Sequence, residues 1–144
     1  MFIALGYLQL LFFSFLAATF LPFSSEVIIS TMYLSNKFNI LLLLIVASIG
    51  NITGSIFNWY LGKKILIFKN KRWFPISEDK LNKSQLYFHK YGVWSLLLAW
   101  VPIIGDPLTM IAGVLKVRFS SFFILVSISK ISRYIFIIFL SSLI

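Results

Sequence analysis

The chain has 144 residues, of which 60% are hydrophobic and only 12% are charged, and its mean hydropathy is +0.96. A soluble domain of this size could not bury so much apolar surface, so the composition predicts a protein whose solvent is a lipid bilayer. Cysteine is absent, which excludes disulfide frameworks and cysteine-ligated metals. The net charge of +9 does not indicate nucleic-acid binding, because the basic residues flank apolar segments.

Four apolar blocks follow one another along the chain. The first, Met1–Tyr33, is interrupted after a proline, and the second, Asn39–Gly62, is a continuous run long enough to cross the hydrocarbon core. The third block, Gly92–Leu115, follows a polar linker and is broken into two arms of roughly ten residues, which are too short to span singly. The fourth block, Phe119–Ile144, is again long enough to span.

The first and third blocks are interrupted in the same way, by LPFSSEV at 21–27 and by VPIIGDPL at 101–108. Each stretch places a proline ahead of an acid, which is Glu26 in the first and Asp106 in the second. Short arms around a proline are typical of a re-entrant hairpin, whose irregular backbone needs protein or a water-filled cavity around it. We therefore predict an all-α integral membrane protein with two re-entrant hairpins, although residues 1–21 could also span alone. The residues expected to break the helices are Pro22, Pro102, Gly105 and Pro107.

The order hairpin, span, linker, hairpin, span is an internal repeat. Pro22 and Glu26 correspond to Pro102 and Asp106 with a shift of 80 residues. Each unit would cross the membrane an odd number of times, so we expect inverted topology. The chain is thus interpreted as one membrane domain over 1–144, with repeat 1 at about 1–62, a linker at about 63–90 and repeat 2 at about 91–144.

The distribution of positive charge predicts the orientation of the chain. Because lysine and arginine are retained on the cytoplasmic side, we expect a cytoplasmic linker and both termini outside. Within the linker, Ser77 followed by two acids is typical of a helix start, and Gly92 of its end. Leu81 and Phe88 would share one face of this helix among lysines, which favours contact with anionic headgroups; an ordinary soluble connector fits the pattern equally well. The basic residues of this side are Lys63, Lys64, Lys69, Lys71, Arg72, Lys80, Lys83, Lys90, Lys116 and Arg118.

The second block carries small and polar residues at helical spacing. Gly50 and Gly54 are typical of close helix packing. Amides need partners in hydrocarbon, so we expect Asn51 and Asn58 to line a polar path. One face is predicted to carry Ala47, Asn51, Gly54, Ser55, Asn58 and Gly62, and the other Ile49, Ile52, Ile56 and Trp59.

The last block contains two cations, Lys130 near mid-membrane and Arg133 one turn further on. A single unpaired charge at that depth costs roughly 2.5 to 3.5 kcal/mol. We therefore expect Glu26 and Asp106 to meet Lys130 and Arg133 in a shared polar interior. A simpler alternative is that Ser25 and Asp106 cap their helices, with Glu26 in a first turn.

Four stretches of the chain resemble the YqaA-like branch of the DedA family, whose membrane domain is also called the VTT or SNARE-associated domain. They are FSFLAATFLPFSSEV, GNITGSIFNWYLG, KYGVWSLLLAWVPIIGDPLTMIAGVLKV and SKISRY. The resemblance implies a bacterial inner-membrane protein with two re-entrant hairpins in inverted repeat. It also implies a role in moving lipids across bilayers, as a scramblase or as a proton-motive-force-linked flippase of polyprenyl phosphates. The chain differs from the family at Phe23 and Ser129, where glycine is common, and it lacks the arginines of the wider family's second hairpin.

Three functions are compatible with these features. The first is a lipid or lipid-phosphate translocator, in which Lys130 and Arg133 attract phosphate while Glu26 or Asp106 exchanges protons. The second is a proton-coupled carrier of a small solute, and the third is a structural subunit or membrane-protein assembly factor that transports nothing. The expected partners are membrane lipids, with anionic headgroups at the basic linker, and a homo-oligomer is compatible with the pattern. Neither an enzyme nor a cofactor is expected, because the lone His89 has no partner for zinc or for a serine nucleophile.

Overall fold

The computed structural model describes residues 1–19, 24–64, 78–101 and 104–144, and all regular structure in these ranges is helical. The elements are α1 (Phe2–Ala18), α2 (Ser25–Leu34), α3 (Ile40–Lys64), α4 (Glu78–Tyr91), a 3₁₀ helix (Gly92–Trp100), α5 (Gly105–Val114) and α6 (Phe119–Ser141). The predictions made for Pro22, Pro102, Ser77 and the side chain of Leu81 fall outside the described residues.

The helices α3 and α6, of 25 and 23 residues, are long and apolar enough to cross a membrane. Both leave large apolar side chains exposed, among them Ile49 on α3 and Phe123, Ile128 and Phe136 on α6. Such surface is rare on soluble monomers, whereas in a bilayer it faces acyl chains. The prediction of an all-α chain with two helices of spanning length is confirmed.

The breaks in the helices lie slightly differently from the predicted positions. Gly92 has a φ of +62°, which glycine adopts without steric cost, and α4 ends one residue before it, as expected. The chain then continues directly into the 3₁₀ helix. Gly105 and Pro107, which were expected to break the chain, instead form the first turn of α5. Proline is tolerated in a first turn because its missing N–H would have no partner within the helix there.

Contacts divide the described chain into two compact units, which we call unit 1 (residues 1–54 and 130–144) and unit 2 (residues 55–129). The core of unit 1 draws on α1, α2, α3 and α6, and it contains Leu10, Ile29, Leu43, Ala47, Tyr134 and Ile138. Within this unit α1 lies directly against α3. A Cβ atom on Gly50 would lie 2.5 Å from the carbonyl oxygen of Leu11, and one on Gly54 would lie 2.6 Å from that of Phe15. The predicted role of these glycines in close packing is confirmed.

The helix α5 is the buried element of unit 2, and all of its residues except Asp106 and Val114 are buried. It packs backbone to backbone against the end of α3, because a Cβ atom on Gly62 would overlap the Met110 carbonyl oxygen and one on Gly113 that of Trp59. The helix α4 packs against α5 and the 3₁₀ helix, and its Phe88 is buried. Part of the apolar face that was expected to contact headgroups is therefore used within the protein.

The predicted two faces of α3 are only half right. All six residues assigned to the small and polar face are buried, and Ile49 on the other face is exposed. However, Ile52 and Trp59 are also buried, at 9% and 8% exposure, and the Trp59 ring stacks on Phe122 with centroids 5.7 Å apart. Neighbouring helices therefore cover a broader sector of α3 than one stripe of small residues.

Candidate functional site

Unit 1 contains an ion pair between the guanidinium of Arg133 on α6 and the carboxylate of Glu26 on α2. Both side chains are partly accessible, at 17% and 26% exposure. Glu26 lies in the first turn of α2, where the helix dipole favours a negative charge, and the Ser24 hydroxyl donates to its Oε2 at 2.9 Å. Glu26 and Arg133, two of the four charged residues expected to meet, are thus in contact, and their role in a transport site stays a prediction.

Tyr134, the residue after Arg133, joins the buried polar groups of the same unit. Tyr134 is fully buried, its hydroxyl lies 2.8 Å from Ser25 Oγ, and it accepts a hydrogen bond from Asn51 Nδ2 at 3.1 Å. The Asn51 amide also donates to the carbonyl oxygen of Ser14 at 3.2 Å. Since a tyrosine hydroxyl has one proton and here accepts the amide, its own proton is available to Ser25. One phenol thus links α2, α3 and α6, and through Asn51 also α1.

Sequence reasoning missed Tyr134 and Ser14. Neither residue is charged, so neither stands out as costly in an apolar segment. The available signal was the position of Tyr134 directly after a cation, in the stretch SKISRY. The predicted capping of α2 by Ser25 is wrong, because Ser25 lies inside the helix and its hydroxyl is directed to Tyr134. Ser24 stands at the N-cap position without a side-chain hydrogen bond to the helix backbone.

Lys130 lies one turn before Arg133 on α6 and is 1% exposed. Asp106 lies in the first turn of α5, in unit 2, and the capping position of that helix is held by Ile104. The alternative in which Asp106 caps α5 is therefore wrong. The backbone carbonyl of Asp106 accepts the hydroxyl of Thr109 at 2.6 Å. The predicted pairing of Asp106 with a cation of the last span stays a prediction.

Asn58 belongs to unit 2 and joins α3 to α5. Its Nδ2 donates to Thr109 Oγ1 at 3.2 Å, and the whole side chain is buried. This contact gives the amide nitrogen of Asn58 the partner that it needs in hydrocarbon. The role of Asn51 and Asn58 in lining a path stays a prediction. Among the described side chains, no three of His, Cys, Asp or Glu come together in a way that could hold a metal ion.

An open groove of about 280 Å³ lies in unit 1. Its walls come from α1, through Gly6 and Gln9, and from α2, through Val27, Ile28, Thr31 and Met32, with Phe38 following. Most of these side chains are apolar, and Val27 directly follows Glu26. The unit therefore combines a charged pair, a buried polar network and an apolar groove.

Comparisons with known proteins identify relatives of this chain. The profile of the VTT domain matches residues 21–143. The chain is 33% identical over 132 residues to the inner membrane protein YqaA of Escherichia coli, covering 92% of this chain and 88% of that protein. It is 35% identical over 140 residues to an uncharacterized protein of Haemophilus influenzae, covering 90% and 83%.

A more distant relative has a more specific name. The chain is 26% identical over 109 residues to undecaprenyl phosphate transporter A of Staphylococcus aureus, covering 68% of this chain and 54% of the transporter. None of these names describes an enzyme. No solved structure matches the chain. The extent of the VTT match and the identity to YqaA establish that the chain belongs to the VTT domain family, the DedA family, of membrane proteins.

Proposed function

We propose that this protein translocates a lipid or a lipid phosphate across the bacterial inner membrane, in the manner of a scramblase or flippase. The observation that carries the proposal is the Arg133–Glu26 ion pair, which joins a spanning helix to the first turn of a short one. Charges inside apolar segments are expensive, and they are typical of substrate or ion pathways. The name of the Staphylococcus aureus relative, an undecaprenyl phosphate transporter, supports the same class of substrate.

In the proposed mechanism a phosphate headgroup replaces Glu26 as the partner of Arg133. A guanidinium binds phosphate through two parallel hydrogen bonds, as it binds a carboxylate. Protonation of Glu26 would remove its charge and leave Arg133 to the incoming phosphate, so proton uptake and headgroup binding would be coupled. The partial exposure of both side chains supports access by a headgroup. Lys130 would add positive charge one turn away, and Asp106 would be a second proton-exchanging group.

The acyl chains would stay in the apolar surroundings of this site. The groove between α1 and α2 is lined by Val27, which follows Glu26 in the sequence, and its mostly apolar walls suit a hydrocarbon chain. A headgroup at Arg133 and a chain along α2 would leave the rest of the lipid in the bilayer. This division keeps the polar headgroup out of hydrocarbon. Transfer of the headgroup into hydrocarbon is the main barrier to lipid translocation.

The proposed architecture is an inverted repeat of two re-entrant helices, with repeats at about 1–62 and 91–144 around a linker. The equivalence of α2 and α5 supports it, since both have 10 residues and start 80 positions apart. Two residues after each helix the chain has a residue with positive φ, Asn36 at 56° and Lys116 at 54°, again 80 positions apart. At about 15 Å, each would reach only halfway through the hydrocarbon core. We also propose a cytoplasmic linker with both termini outside, on the distribution of lysine and arginine.

Reconstitution of the purified chain into liposomes tests the function. Movement of a fluorescent phospholipid and of a polyprenyl phosphate would be followed with and without a pH gradient. We expect the wild-type protein to move at least one of them, and we expect Glu26→Gln to abolish the movement because the amide cannot release or take up a proton. Asp79→Asn is the matched control, since Asp79 is exposed on α4, and it should transport normally.

Two outcomes would contradict lipid translocation, and a third would contradict the mechanism. Wild-type liposomes that move no lipid, but take up a small solute on a pH gradient, would favour the solute carrier. Liposomes without any transport, made from protein that is folded and monodisperse, would favour a structural or assembly role. Normal transport by Glu26→Gln would remove the carboxylate from the mechanism.

A further inference from the structure

A second cluster of cations lies in unit 2, away from Glu26 and Arg133 along the chain. It consists of Lys63 and Lys64 at the end of α3, together with Lys116 and Arg118 in the turn between α5 and α6. All four side chains are exposed. Among the described side chains, none of the four forms an ion pair with an acid. Four like charges at the ends of apolar helices therefore lack a counter-charge from the described part of the protein.

Trp59 brings the two parts of this basic cluster together. Its indole N–H donates to the backbone carbonyl of Val117 at 3.3 Å, and Val117 lies between Lys116 and Arg118. The Lys63 Nζ lies 3.9 Å from the centroid of the same ring, and Phe119 packs against it with centroids 5.3 Å apart. The end of α3 and the start of α6 are thus held side by side. Tyr60, with Lys64 Nζ 4.9 Å from its ring centroid, extends the same aromatic and basic surface.

Two of these cations occupy positions that local structure disfavours. Lys116 has a φ of +54°, a conformation that favours glycine or asparagine, and the corresponding residue after α2 is Asn36. Arg118 directly precedes α6, and its carbonyl accepts the N–H of Phe122 in the first turn. A cation is unfavourable there because the N-terminal end of a helix carries partial positive charge. Neither the turn nor the helix favours a basic side chain at these positions. Retention of positive charge on one side of the membrane accounts for their sign, and an external anion would compensate their charge.

We propose that Lys63, Lys64, Lys116 and Arg118 form a binding site for the headgroup of an anionic phospholipid, organised by Trp59. Tryptophan and tyrosine beside lysine and arginine suit the boundary between acyl chains and headgroups. The exposed apolar residues of α6, such as Phe123, offer an adjacent surface for the acyl chains of the same lipid. This inference does not depend on translocation, because it concerns different residues in unit 2.

Native mass spectrometry of the full chain in detergent tests the site, with phosphatidylglycerol as the anionic lipid and phosphatidylcholine as the neutral one. We expect the wild-type protein to bind phosphatidylglycerol more tightly. The variant Lys116→Asn/Arg118→Gln should weaken the first phosphatidylglycerol binding by about fivefold for each charge removed, with little change for phosphatidylcholine. Asparagine adopts a positive φ more readily than lysine does, so the turn at position 116 should still form.

The matched control is Lys83→Gln/Lys90→Gln, which removes the same charge from exposed positions on α4. It should weaken the first phosphatidylglycerol binding far less than Lys116→Asn/Arg118→Gln does. An equal loss in both variants would mean that net charge alone explains the binding and would overturn the site. Trp59→Phe keeps the formal charge but loses the hydrogen bond to Val117, so it should also weaken phosphatidylglycerol. Unchanged binding in Trp59→Phe would overturn the organising role of Trp59. Competition by inorganic phosphate as strong as that by the lipid would mean a free-phosphate site and would overturn the headgroup assignment.

Discussion

Glu26 and Arg133 stabilise the protein only as a pair. Removing either partner leaves the other charge in an apolar region without compensation, which typically costs about 3 to 5 kcal/mol in a fully buried site. Both groups keep some exposure, so we expect the lower end of that range. Each charge of the pair therefore compensates the other. A phosphate bound to Arg133, or a proton bound to Glu26, would change this compensation.

A double-mutant cycle measures this dependence. We expect Glu26→Leu and Arg133→Leu each to lower the thermal stability in nanodiscs, because each leaves a lone charge. The double variant should be more stable than the less stable of the two single variants, since it removes the imbalance. Thermal unfolding of all four proteins gives the coupling energy directly.

The control for the cycle is Arg133→Leu combined with Asp79→Leu. Asp79 is an exposed acid of α4, so the two losses should simply add. Strict additivity in the Glu26 cycle as well would mean that the two charges do not support each other in the membrane.

The ion pair could be predicted from the sequence, whereas its surroundings could not. The chain has four acidic residues, and two of them interrupt apolar blocks, so a charged partner in another apolar block was required. Tyr134 gave no such signal, because a neutral phenol is tolerated in an apolar helix and its partner Ser25 is 109 residues away. Contacts of that kind depend on tertiary packing, which one sequence does not reveal.

At the scale of helices, the packing of α1 against α3 depends on the close approach of their backbones. The backbone oxygens of Leu11 and Phe15 lie where side chains on Gly50 and Gly54 would start. Without a hydrophobic driving force between helices in lipid, van der Waals packing of this kind carries much of the association. The stability of unit 1 should therefore be sensitive to one added methyl group on this face.

The variant Gly54→Ala tests that sensitivity. Alanine favours a helix over glycine by about 1 kcal/mol, but overpacking against backbone costs about 1 to 3 kcal/mol. Because the added methyl would also lie 2.7 Å from the Ala18 Cβ, we expect a net loss of thermal stability in detergent. The matched control is Thr53→Ala on the exposed side of the same helix, which should change stability little. Equal melting temperatures for the two variants would contradict the close packing.

The elements themselves were predicted with uneven success. Hydrophobic runs located α3 and α6, because the length of a span is fixed by the bilayer. The 3₁₀ helix from Gly92 to Trp100 was not predicted, since a short apolar arm has the same composition in either helical form. Trp59 was assigned to the outer face, yet it is buried against Phe122, because an aromatic residue at a span's end fits lipid and protein equally well.

At the scale of the whole molecule, the boundaries of the two compact units differ from those of the two proposed repeats. Unit 1 joins residues 1–54 to 130–144, so α3 and α6 each contribute to both units. Residues 130–144 of the second repeat complete the unit that holds Glu26. Neither of the two proposed repeats contains all the residues of one unit.

The orientation of the chain is the prediction that belongs to this scale. A reporter enzyme that is active only outside the cytoplasm should work when it is fused after Ile144. The same reporter should be silent when it is fused near Asn82, because the surplus of lysine and arginine holds the linker inside. The reverse pattern of activity would overturn the proposed orientation, and activity at both sites would contradict an odd number of crossings between them.

The two-part composition of unit 1 has a consequence for the synthesis of the protein. A ribosome adds about 5 to 20 residues per second, and 109 residues separate Ser25 from Tyr134, so α2 is made roughly 5 to 20 s before its partners on α6. During that interval the newborn chain holds Glu26 without its cation, until residues 130–144 emerge after all of unit 2. Substitutions in α6 that only slow its insertion would therefore expose an incomplete membrane intermediate to proteolysis.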